Sequence, residues 1–171
     1  IMKINGKILF VAAAILFAGT TVFAQKQITV APDGSGDFRS IQEAINSLPV
    51  AAKEQRVILI KNGIYKEKIF IDKDFITLKG EDPEKTIVTI AQARDEWRCD
   101  NKDDYGTATL NLKGSDISLE NLSFINSYGK DNTKERSIAC ASDSGKTKTI
   151  RPYGHQMALR SFNTTRLIVK N

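Results

Sequence analysis

The 171-residue sequence is 41% hydrophobic and 26% charged, a globular balance that excludes a disordered or low-complexity chain. Its formal charge of +5 is mild, and with no arginine-rich or aromatic–basic stripe it gives no reason to expect nucleic acid as a partner. One histidine and two cysteines, none grouped at metal-ligand spacing, make a metal site improbable on composition alone.

In chain order, the first element is a leader. "MKINGKILFVAAAILFAGTTVFAQ" has a basic start (Lys3, Lys7), an apolar run from Ile8 to about Gly19 and a small-residue ending. That layout predicts a secretory signal peptide over residues 1–24, cleaved between Ala24 and Gln25, with the mature domain at 25–171. The apolar run is short for a bilayer span, so no membrane attachment is expected after cleavage, and the protein is expected to be secreted or periplasmic. Export permits a bridge between Cys99 and Cys140, which would close a loop of about forty residues and add roughly 4 kcal/mol on the chain-entropy estimate. Two separate thiols remain the alternative.

The mature chain opens "ITVAPDGSGDFRSIQEAINSLPV". A short strand leads into an Asp-Gly-Ser-Gly turn, which lacks the Gly-Lys-Ser/Thr ending of a phosphate loop. Ser40 with Glu43 fits a capping box, Ile41, Ala44, Ile45 and Leu48 form one apolar stripe, and Pro49 ends the helix. From there the texture changes to strands of three to five residues at 57–60, 69–71, 76–78, 87–90, 108–112, 117–119, 122–125, 157–160 and 167–169. No second helical pattern shows, which excludes alternating strand–helix units.

Val57 to Ile76 is nineteen residues and Ile69 to Ile87 is eighteen. A period near twenty with two or three strands per period suits a solenoid, interrupted by polar insertions at 91–106 and 127–154 that would bulge from it. An antiparallel sandwich is the competitor, but Asn62-Gly63 is the one good hairpin signal. The fold predicted is all-β: a single-stranded, right-handed parallel β-helix whose N-terminal end is covered by the Ser40 helix.

"ITVAPDGSGDFRSIQEAINSLP", "RVILIKNGIYKEKIFI", "ITLKGEDPEKTIVT", "YGTATLNL", "ISLENLSFIN" and "GHQMALR" follow one another in the order of the pectin methylesterase (pectinesterase) family, and residues 27–171 resemble it throughout. The 127–154 insertion looks most like bacterial forms. The resemblance implies a secreted carbohydrate esterase on a parallel β-helix. It would cleave methyl esters of pectin (homogalacturonan) to pectate and methanol, without metal or organic cofactor, as a monomer when full-length. The chemistry implied is attack by an aspartate, a second aspartate as acid and then base, an arginine holding the nucleophile, and glutamine amides at the oxyanion.

Carried over by position, Gln156 in "GHQMALR" matches the oxyanion and substrate glutamine, and Thr109 in "YGTATL" matches a threonine near bound substrate, where this chain has "TAT". The nucleophile, acid/base and arginine are expected beyond the strand "TTRLIVKN", outside this chain. The reading therefore expects a β-helix truncated at its C-terminal end and, alone, inactive. Asp100, Asp103, Asp104, Asp131 and Asp143 lie in polar insertions and read as solvated carboxylates. His155, lacking a nucleophile partner, reads as a packing or substrate-edge residue. Tyr105 and Tyr153 are weaker substrate-binding candidates, and Trp97 serves equally well as a loop anchor. Two other readings stay open. One is a non-catalytic β-helical polysaccharide binder; the other is a pectate-lyase-like enzyme, which would use calcium and yield an unsaturated sugar.

Overall fold

Alternating apolar residues decide this architecture, because each short strand hides every second side chain in one shared interior. The computed structural model describes residues 27–103, 105–141, 147–150, 157–161 and 166–170. The proposed leader, Asp104, Asp143, Tyr153, His155 and Gln156 lie outside the described residues.

The elements run β1 (Ile28–Val30), α1 (Ile41–Ser47), β2 (Arg56–Ile60), β3 (Gly63–Tyr65), β4 (Ile69–Ile71), β5 (Ile76–Gly80), β6 (Thr86–Ile90), α2 (Arg94–Asp100) and β7 (Ala108–Leu112). They continue β8 (Ile117–Glu120), β9 (Ser123–Asn126), α3 (Tyr128–Asp131), β10 (Arg136–Ala139), β11 (Thr147–Ile150), β12 (Met157–Ser161) and β13 (Leu167–Lys170). Three parallel sheets result: β1-β2-β5-β8-β13, β3-β6-β9 and β4-β7-β12. One coil is β2-β3-β4, the next β5-β6-β7, the third β8-β9-β12, so each coil gives one strand to every sheet. This is the parallel β-helix predicted from sequence.

In-register stacking fills the interior. Ile58 faces Leu78 and Leu78 faces Leu119 in the first sheet. Tyr65, Val88 and Phe124 stack in the second, and Ile69, Leu110 and Leu159 in the third. Each Ile or Leu so buried contributes about 1.5–3 kcal/mol, and the core they form is continuous. Val57 faces Thr77, which bears out the period near twenty for that coil. Ile69 and Ile87, by contrast, do not stack: β4 pairs with β7 and β6 with β3, so their eighteen-residue spacing joins strands of different sheets. Nor is Asn62-Gly63 a hairpin, since Gly63 opens β3, which runs parallel to β6.

The chain turns sharply into the first sheet at successive left-handed residues, Phe75 (φ 55°) before β5 and Asp116 (φ 56°) before β8. Such a φ is a real outlier for a bulky residue. Stacked backbone bonds offset it here, with Phe75 N donating to Ser115 O at 3.0 Å and Arg56 N to Phe75 O at 2.8 Å.

Helix α1 covers one end of the stack with Ile41, Ala44 and Ile45 buried. Ser40 caps it as predicted, its Oγ accepting from Glu43 N at 3.3 Å. The carboxylate that completes the cap comes from the first coil. Glu67 accepts from Ser40 Oγ (2.7 Å), Ile41 N (2.9 Å) and Gln42 N (3.0 Å). At the other end Lys73 Nζ donates to the carbonyls of Ile45, Asn46 and Leu48. An anion at the N-terminus and a cation at the C-terminus satisfy orphan backbone groups and oppose the helix dipole.

The expectation of a single helix is corrected by α2 and the one-turn α3. Helix α2 has no side-chain cap and buries Cys99 alone, so neither capping nor an apolar stripe announces it. Both lie in the polar insertions, and no strand–helix alternation builds the sheets.

Candidate active site

The two insertions leave successive coils at one corner. In the second coil residues 91–107 intervene between β6 and β7; in the third, residues 127–156 intervene between β9 and β12. In the first coil three residues, 66–68, make the same turn. The insertions therefore stack into a side lobe. Cys99 of α2 is bonded to Cys140 beside the antiparallel hairpin β10-β11, with Cα atoms 5.0 Å apart. Of the two alternatives left open by sequence, the bridge is the one present. Ala93, Tyr128 and Ile150 form a small core under it with Ile138, and Arg136 reaches Glu96 at 2.6 Å.

Asn126, at the end of β9, holds the roots of both insertions. Its Nδ2 donates to Gln92 O (2.9 Å) and Thr107 O (3.1 Å), while its Oδ1 accepts from Gln92 N and Tyr128 N, both at 3.2 Å. One amide thus fixes where the lobe departs from the coils.

Beneath the lobe lies the outer face of the third sheet. Its inward residues are Ala108, Leu110 and Leu112, so Thr109, Asn111 and then Lys113 alternate to the outside, with Phe70 opposite Asn111 on β4 and Arg160 opposite it on β12. Phe70 and Tyr105 meet edge to face with centroids 5.1 Å apart. Lys68 donates to Gly106 O at 3.1 Å and lies 4.0 Å from the centre of the Trp97 ring, with burial depressing its pKa against the pull of Asp103. Gly106 leaves no room for a side chain, since a Cβ there would drive into the Trp97 ring. Asp103 accepts from Trp97 Nε1 and Tyr105 N, both at 2.9 Å, which makes it a brace for the lobe.

Of the residues singled out from sequence, Thr109 and Tyr105 are therefore on or beside one sheet face. Thr109 is fully buried and its hydroxyl donates to Ile125 O at 2.9 Å; Tyr105 is half-buried against Phe70. Met157 faces Ala108, so the strand that Gln156 leads into is aligned with the Thr107–Thr109 end of β7. Sequence reasoning missed Lys68, Phe70, Asn111 and Lys113 as members of this face. The signal was present in the alternation of "ATLNLK", whose odd positions 109, 111 and 113 cannot point inward if 108, 110 and 112 do. Asn111 Oδ1 is buried with no hydrogen-bond partner among the described residues, while its Nδ2 donates to Ala108 O at 3.2 Å. Among the described residues no three His, Cys, Asp or Glu side chains group as metal ligands, and no helix is long and apolar enough to cross a membrane.

A three-sheet parallel stack with a lobe overhanging one outer face is the architecture of a parallel β-helix protein. The comparisons make the family specific: residues 27–168 match the pectinesterase family, and the chain belongs to it. It is 35% identical over 118 residues to a pectinesterase of Petunia integrifolia, covering 68% of this chain and 30% of that protein. Carrot pectin methylesterase superposes with a TM-score of 0.64 at 23% identity, over 84% of this chain and 38% of that one, which supports the fold. A pectin methylesterase in complex with a hexasaccharide gives 0.57 at 28% identity, over 78% and 38%. The chain spans less than a third of the length of the first curated relatives it matches. Those relatives are plant proteins, so the bacterial origin read from the second insertion is not borne out.

Proposed function

We propose that this chain is part of a pectin methylesterase that hydrolyses methyl esters of homogalacturonan to pectate and methanol through a nucleophilic aspartate. The observation that carries the reading is the family match over residues 27–168. Support for the substrate comes from the similar structure solved with a hexasaccharide.

Gln156 is assigned to the oxyanion. A neutral amide donor aimed at the developing negative charge needs no change of protonation as the tetrahedral intermediate forms. Gln156 and Thr109 are assigned to substrate binding, with Tyr105 and Tyr153 as lesser contacts. The nucleophile, the acid/base and the arginine are not assigned to residues of this chain. The reaction as proposed uses no metal or cofactor. Residues 1–24 are assigned to export, which places the mature domain, as a monomer, outside the cytoplasm where pectin is met.

Methanol release from methyl-esterified pectin, by protein expressed from the complete gene, tests the reading. Gln156→Leu is expected to lower kcat about 10²–10³-fold, the usual cost of one oxyanion donor, with little change in KM. An unsaturated, ultraviolet-absorbing product in place of methanol would move the protein to the lyases. Pectin binding with no product would make it a binding protein.

A further inference from the structure

Lys113 is an exposed cation whose setting the reaction outlined above does not use. It follows Leu112 at the end of β7 and shares the outer face of the third sheet with Thr109 and Asn111. Its ammonium lies 4.5 Å from the centre of the Tyr105 ring and 5.5 Å from that of Phe70.

Six other lysines are committed. Lys61 pairs with Glu81, Lys79 and Lys170 with Glu120, and Lys85 with Asp82, while Lys68 and Lys73 donate to backbone carbonyls. Among the described residues no carboxylate pairs with Lys113. Its aromatic neighbours hold the ammonium in place by attraction to their ring faces without neutralising it. A positive charge held against a pair of touching aromatic rings, with its donors still available, is matched by a ligand that brings both an apolar face and a carboxylate. A galacturonate residue has both: the C–H face of a pyranose ring and a charged group on C5.

We propose that Lys113 is a specificity-determining residue that reads the free carboxylate of a galacturonate lying against Tyr105 and Lys113 at the exposed edge of the third sheet. The proposal rests on the pectin reading above and extends it to which sugars are preferred. A free carboxylate forms a charge-assisted hydrogen bond with the ammonium. Its methyl ester is neutral and keeps one weaker acceptor. Lys113 therefore favours an already de-esterified sugar at that position, and draws the enzyme to chains carrying both free and esterified residues.

The test is calorimetric titration of the full chain with a short oligogalacturonate and with its fully methyl-esterified counterpart, for the natural sequence, Lys113→Met and Lys113→Arg. The natural chain is expected to bind the free acid about three- to tenfold more tightly, and raised salt should erode that margin. Lys113→Met should bring the two affinities together, while Lys113→Arg should keep most of the preference. A preference that survives Lys113→Met, or is absent from the natural chain, overturns the proposal, as does failure to bind either oligomer. Thermal melts of both variants separate loss of the contact from loss of the fold. The esterase reading is judged apart from this, by methanol release. A Lys113-dependent preference without methanol release would sink the esterase and keep the carboxylate subsite; methanol release without the preference would do the reverse.

Discussion

The coil stack and the side lobe are held together by different physics. The stack repeats one device, an aliphatic side chain resting on its in-register neighbour, from Ile58 through Leu78 to Leu119. The lobe has a core of three fully or nearly buried residues, and relies on a disulfide, an Arg136–Glu96 ion pair and the Asn126 amide. Where burial is plentiful, side chains need only be apolar and alternate. Where it is scarce, individual cross-links fix the conformation.

Breaking the stack should have the largest effect. Leu110→Ala leaves a cavity between Ile69 and Leu159 and is expected to cost about 4 kcal/mol, read as a shift in the denaturation midpoint of the whole chain. A loss below about 1 kcal/mol would mean that the third sheet is not the continuous core described. Opening the lobe should be smaller and local. Cys99→Ser with Cys140→Ser is expected to cost about 3 kcal/mol, with hydrogen exchange accelerating in α2 and β10 while β2, β5 and β8 stay protected. Equal acceleration in both regions would show that the lobe and the stack unfold as one unit.

The smallest effect sharpens the stack itself. Tyr65 is buried in the second sheet and donates to Lys61 O at 2.8 Å. Burial first, then the charges of Glu67, Glu81 and Asp33, push its pKa up to about 12. Because the unfolded tyrosine ionises near 10, its share of stability is complete below about pH 10 and is lost as pH rises towards about 12. Denaturant midpoints measured across that window should fall less steeply in Tyr65→Phe, which also loses about 1 kcal/mol at neutral pH with its hydrogen bond. Parallel slopes in the two proteins would show that Tyr65 does not carry the alkaline loss.

Sequence was readable where the stack's rule operates. Ser40, the Ile41–Leu48 stripe and ten of the short strands are visible because period and capping are local signals. Strand β3 escaped, since "GIY" offers one alternation and begins at a glycine that suggested a turn. Glu67 escaped for another reason: it caps α1 from 25 to 27 residues away, and no local pattern records such a contact. The lobe was legible only as polarity. Helix α2 has neither cap nor stripe, and the pairing of Cys99 with Cys140 depends on both insertions leaving the same corner, which a linear period does not reveal. At the candidate site, Thr109 and Tyr105 were found by motif, whereas Lys113 and Phe70 are neighbours only after coils separated by about forty residues have stacked.

Asn126 carries a consequence for how such a protein can diversify. Because one amide grips Gln92, Thr107 and Tyr128, the points where the first insertion leaves and rejoins the coils, and where the second leaves them, are set by a residue of β9. Segments there can lengthen, shorten or be exchanged without moving Leu110 from its seat between Ile69 and Leu159. The overhang is an interchangeable fitting on a standard mount, and new surfaces can be grafted at that corner while the scaffold stays untouched.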